Sequence, residues 1–206
     1  LCDRLVAYRV SNQTANPGWH NGAVPSFGSA DARLLVVGLA PGVRGANRTG
    51  RPFTGDFAGV LLYQTLLTFG LAQGAYGADP ADGLTLRDTR VTNAVRCVPP
   101  GNLPTPAEIN LCNPFLAAEM AAMPRLRAVL ALGGVAHKAV LRARGLRGSH
   151  VAFQHGVLHT LPGDLLLADS YHVSRLNTNT GRLTAAMFEA VVAAIVARLD
   201  QGDVER

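Results

Sequence analysis

Four short apolar runs constrain this chain more than anything else in it: Leu34 to Val37, Arg90 to Val95, Ala128 to Leu132 and Leu165 to Ala168. Val151 to Phe153 reads as a possible fifth. Runs of this length suit strands buried on both faces, and helical patterns separate several of them. Those patterns are Phe57 to Leu71, Val135 to Arg144, Thr184 to Leu199, and a helix running toward Met123 from the capping box Thr105-Pro106-Ala107-Glu108. Strands alternating with helices predict an α/β fold rather than an all-β barrel. The Gly/Ala/Asp-rich stretch between Leu71 and Arg87 reads as a surface connector. With 206 residues, no internal repeat and no linker, residues 1–206 are expected to form a single domain.

No apolar stretch reaches the roughly 20 residues that cross a bilayer, and no basic segment leads into an apolar one at the start. A soluble, cytoplasmic, monomeric protein with no membrane partner is expected. Lys and Arg total 19 against 14 acidic residues, a net charge of +5, and Lys138 is the only lysine. The arginine bias has two readings, GC-rich coding or a polyanionic partner that bidentate guanidinium groups suit.

Three polar segments follow apolar strands, where ligands of open α/β sheets sit. The first runs from Gly38 to Asp56, rich in glycine, Arg, Asn and Thr. It has neither G-x-G-x-x-G nor a phosphate-loop lysine, which counts against a nucleotide-processing enzyme. The second runs from Asp169 to Thr184. Its Ser, Asn, Thr and Arg residues suit phosphates while Leu176 is free to project, the combination that prying a base from a duplex requires. His172 within it is either a structural histidine or part of a site. The third is Thr92-Asn93-Ala94-Val95-Arg96-Cys97. Asn93 carries donors and an acceptor that can read a nucleobase edge, or it bonds to its own turn.

Cys2, Cys97 and Cys112 are the only cysteines. They are either three buried thiols or an incomplete ligand set, since iron–sulfur clusters usually take four thiolates.

Together these segments resemble the uracil-DNA glycosylase superfamily, most closely its family 5. Gly38-Leu39-Ala40-Pro41-Gly42 through Asp56-Phe57-Ala58-Gly59 looks like that family's first motif, and His172 through Thr184 like its second. Thr92 to Cys97, with the Cys97 to Cys112 spacing, matches the middle of the pattern. The resemblance covers nearly the whole chain. It implies a three-layer αβα sandwich around a four-stranded parallel sheet, with a base pocket at its carboxyl edge. It also implies a [4Fe-4S] cluster on Cys2, Cys97 and Cys112, with the fourth cysteine just upstream of Leu1.

By the same resemblance, the expected activity is hydrolysis of the N-glycosidic bond of uracil, and of bases such as hypoxanthine and xanthine, in single- or double-stranded damaged DNA. An abasic site would remain. Leu39 stands where other families carry an acidic or polar side chain, so Asp56 becomes the candidate carboxylate. His172 and Asn93 complete the catalytic set. Phe53, Asn93, Gly38, Leu39 and Ala40 are expected at the base, and Arg48, Ser174, Arg175, Leu176 and Asn177 at the DNA. Lys138 lies away from these loops, so no Schiff base is expected. A non-catalytic or covalently trapping iron–sulfur relative is the alternative, but the loop Val43 to Arg48 lacks the histidine of trapping relatives.

Overall fold

Leu34-Leu35-Val36-Val37-Gly38 forms the first strand, β1, buried along its whole length. Around it the computed structural model describes residues 2–204, with side chains described to Gln201. The remaining strands are β2 (Ala72–Gln73), β3 (Thr85–Leu86), β4 (Thr89–Asn93), β5 (Ala128–Leu132), β6 (Leu158–Leu161) and β7 (Leu165–Ser170). The helices are α1 (Asp3–Ala15), α2 (Ala46–Thr49), α3 (Phe57–Thr68), α4 (Pro106–Ala121), α5 (Gly134–Ala143), α6 (Arg175–Asn179) and α7 (Ala185–Val204).

The central sheet runs β4-β1-β5-β7-β6. Its first four strands are parallel, and β6 pairs antiparallel with β7. The expected four-stranded parallel sheet is therefore present, and it gains a fifth strand at one edge. Side chains alternate between two cores, as strand geometry requires. Leu34, Val36, Leu130 and Leu132 pack with Leu62, Leu66, Phe188, Val192 and Ile195 of α3 and α7. Leu35, Val37, Val129 and Ala131 pack with Leu116, Met120, Ala136 and Val140 of α4 and α5. The result is a three-layer sandwich.

One expectation is corrected. Val151 to Phe153 is loop, not strand; the Val151 carbonyl is taken by His137 Nε2 at 3.0 Å rather than by a neighbouring strand. The strand is Leu158–Leu161 instead, joined to β7 through Gly163 and Asp164, both at positive φ. Its polar His159 and Thr160 hide it from a search for apolar runs.

The capping box is formed as expected: Thr105 Oγ1 accepts from the Glu108 N–H at 3.3 Å, and Glu108 Oε2 accepts from the Thr105 N–H at 2.7 Å. Glu108 also receives Arg4 Nε and Nη2 from α1, each at 2.7 Å. That pairing docks the N-terminal helix onto α4. From β1 the chain first reaches β4 on one side, then β5 on the other, so the switch point that favours ligands lies at the end of β1.

Candidate active site

Gly38 ends β1 directly beside Asn93, which ends β4. Pairing continues one step further, with the Ala94 and Val95 amides donating to the Gly38 and Leu39 carbonyls at 2.9 and 3.0 Å. A Cβ at Gly38 would stand 2.4 Å from both Asn93 Oδ1 and Phe53 Cζ. The absence of a side chain there lets Asn93 and the Phe53 ring meet over the strand end. Leu39 and Ala40 continue beyond; Ala40 lines the resulting cleft, and Leu39 does not.

Pro41, Gly42, Phe53, Asp56, Asn93 and His172 line the same cleft, which encloses about 40 Å³. All three strand-end segments therefore converge at one place. Asp56 is the N-cap of α3, its Oδ1 accepting from the Ala58 N–H at 3.2 Å. Burial raises its carboxyl above the ordinary range, and the Ala58 and Gly59 amides only partly offset this. Gly42 and Gly45 make room for it: a Cβ at Gly45 would fall 2.1 Å from Asp56 Oδ2. His172 follows β7 and faces Phe53, with ring centroids 6.0 Å apart. Burial pushes its imidazole down to about 4, so it is neutral at physiological pH. Asn93 is 4% exposed as a residue, and its carboxamide bonds to no protein group among the described residues. It is thus not a turn asparagine spent on its own backbone.

A sequence profile of the Uracil DNA glycosylase superfamily matches residues 25–196. The chain belongs to that superfamily. It is 47% identical to the type-5 uracil-DNA glycosylase of Thermus thermophilus, over 93% of this chain and 90% of that protein. It is 44% identical to the type-5 enzyme of Mycobacterium bovis, over 92% of this chain and 74% of that one. The type-5 enzyme of Pyrobaculum aerophilum is 42% identical, over 93% and 84%.

In this superfamily member the second motif forms an exposed tip. Leu176 is 72% exposed, and the Arg175 guanidinium lies 5.2 Å over the Phe57 ring at the start of α3. Ser174 and Asn177 are occupied locally: Ser174 Oγ caps α6, and Asn177 Nδ2 donates to the His172 carbonyl at 2.8 Å. Both shape the turn that presents the tip, and the Ser174 hydroxyl, which only accepts there, keeps its own proton to donate. Arg48 is exposed on α2, bonded through Nε to the Arg44 carbonyl at 2.9 Å. It lines a neighbouring groove with Trp19 and His20 instead of the cleft. Lys138 is exposed on α5, away from the cleft.

Cys2, Cys97 and Cys112 all line a second, mostly apolar cleft of about 480 Å³ between α1, the end of β4 and α4. The Arg96 amide donates to Cys112 Sγ at 3.4 Å, and Arg9 Nη1 to Cys97 Sγ at 3.9 Å. Convergent soft donors with N–H groups aimed at sulfur fit an iron–sulfur cluster.

Sequence reading did not single out two further groups. His137, His159 and Asp169 form a cluster at the end of β7, with His137 Nδ1 bonded to Asp169 Oδ1 at 2.8 Å. The Gln154 amide also donates to Asp169, at 3.2 Å. Both ring nitrogens of His137 are engaged, so the cluster pins the loop before β6 to β7, the strand that leads into His172. The second group is Arg51, Tyr63, Tyr76 and Asp82, which lies behind Phe53. No spacing in the sequence links these four residues.

Proposed function

We propose that this chain excises uracil from DNA by hydrolysing the N-glycosidic bond, leaving an abasic site. Hypoxanthine and xanthine are further substrates under this reading. The observation that carries it is the unpartnered Asn93 amide, set in one cleft with Asp56, Phe53 and His172. Uracil, hypoxanthine and xanthine each present a carbonyl acceptor beside an N–H donor, and a free carboxamide answers both. This shared edge gives a chemical reason for breadth.

The target base must leave the stack, at a cost of a few kcal/mol in a duplex. Leu176 fills the vacated space and Arg175 holds the backbone. The cleft is small as it stands, so it widens to admit the base. Phe53 stacks on the base and Asn93 reads its edge. As the bond lengthens, positive charge grows on the sugar and negative charge on the base. The Asp56 carboxylate stabilises the sugar and orients water; Gly42 and Gly45 leave it the space to do so. His172 is neutral, so it donates an N–H to the base oxygen without needing to bury a charge. Lys138 is far from this chemistry, and no amine adduct forms.

Cys2, Cys97 and Cys112 hold a [4Fe-4S] cluster under this reading, and its contribution is structural. Held by these cysteines, it would link α1 and α4 to the end of β4, the strand that ends in Asn93.

The test is excision from labelled oligonucleotides holding uracil, hypoxanthine or xanthine, followed by alkaline cleavage at abasic sites. Uracil release is expected, and Asn93→Ala should abolish most of it while sparing DNA binding. Failure to release any of the three bases refutes the reading.

A further inference from the structure

The segment between α3 and β4 reaches the site from behind. Its regular structure is limited to the β2–β3 pair, yet it carries Tyr76 and Asp82. Asp82 receives Arg51 Nη1 and Nη2 in a bidentate pair at 2.8 and 2.7 Å. Its oxygens also accept from the Gly77 and Leu84 amides at 2.9 and 3.0 Å. Arg51 is 6% exposed, and its Nε donates to Thr54 Oγ1 at 2.7 Å. The guanidinium lies 5.1, 5.7 and 6.0 Å from the ring centres of Phe27, Tyr63 and Tyr76. Two phenols then hold the intervening backbone: Tyr63 donates to the Pro52 carbonyl at 2.6 Å, and Tyr76 to the Phe53 carbonyl at 3.0 Å.

Between these anchors Phe53 has φ of +52°. That left-handed conformation is unusual for a bulky residue and persists only where its surroundings over-determine it. Gly59 completes the clamp. A Cβ there would stand 1.8 Å from the Phe53 carbonyl oxygen and 2.1 Å from the Tyr76 hydroxyl. Helix α3 can therefore close on the loop only because this position is bare.

We infer that Tyr76 and Asp82, the latter through Arg51, are positioning residues for base stacking, holding Phe53 in the one backbone conformation that aims its ring across the cleft. A buried ion pair is weak evidence for stability alone. A guanidinium fixed on both edges and flanked by rings is well suited to setting an angle.

The inference rests on Phe53 being the stacking residue, and a double-mutant cycle separates the two claims. Inhibition of excision by free uracil reads the base subsite without DNA contacts. Tyr76→Phe keeps the ring, which packs 4.9 Å from Tyr63, and removes the hydroxyl that bonds to the Phe53 carbonyl. It should weaken uracil inhibition about fivefold, the worth of one hydrogen bond, and Asp82→Asn should act in the same direction, with Asp82→Glu partly restoring the effect. In a Phe53→Ala background Tyr76→Phe should cost nothing more, since the backbone carbonyl remains but the ring it aims is gone. Unchanged inhibition in Tyr76→Phe, or full additivity with Phe53→Ala, overturns the positioning role. If Phe53→Ala itself leaves inhibition unchanged, the stacking reading fails instead.

Discussion

Asp56 serves two roles that a pair of substitutions can separate. Its Oδ1 caps α3 by accepting from the Ala58 amide at 3.2 Å, and burial raises its carboxyl above the ordinary range. A carboxyl whose folded-state value is raised subtracts stability. The cost is absent below the unfolded-state value, grows as pH rises, and is complete above the folded-state value. Asparagine keeps an oxygen for the Ala58 amide and has no charge to bury. Asp56→Asn should therefore unfold at or above the wild-type temperature at pH 7, and this advantage should vanish on acidification.

Asp56→Ala enjoys the same relief but loses the cap, worth about 1 kcal/mol. For a chain of 206 residues that difference is about 2–4 °C between the Asn and Ala variants. Excision should fall by about 10²–10³-fold in both, the scale of losing one electrostatic stabiliser. Thermal melts across pH 4 to 8, with single-turnover excision on uracil oligonucleotides, measure all of this. Near-wild-type excision by Asp56→Asn, or equal melting of the two variants, refutes the double role.

With His172 held near 4, the pH–rate profile should show one acidic limb set by Asp56, with activity lost as pH falls through its raised value. A second limb between pH 6 and 7 that His172→Gln removes would contradict the neutral donor. Leu176→Ala should slow excision from duplex far more than from single strands, because only the duplex imposes an unstacking cost. Arg175→Ala should weaken DNA binding and lower the salt slope by about one, measured by titration at several salt concentrations. Cys112→Ser should lower iron content, visible absorbance and melting temperature together; iron-free wild-type protein with unchanged stability would exclude the cluster.

Where structure follows from local chemistry, the sequence was a good guide. Leu34 to Val37 announces a buried strand, Thr105 to Glu108 a capping box, and the strand-end positions of Asn93 and His172 their shared cleft. What stayed hidden depends on distant partners. Nothing near Asp82 signals that it meets Arg51, 31 positions earlier, so the 71–87 connector reads as filler. Val151 to Phe153 is apolar enough for a strand, but His137 claims its backbone. Ser174 and Asn177 have the right chemistry for phosphate, and their further part in shaping the turn that carries Leu176 is not legible from the sequence.

The flanks of the sheet bear on how such molecules behave when crowded. On one flank Phe27 exchanges backbone hydrogen bonds with Val91, covering part of the outer side of β4. On the other, β6 spans only four residues and includes His159 and Thr160. Short or obstructed margins offer little template for a neighbour to zip onto. Copies of such a chain can lie side by side without fusing into a continuous ribbon.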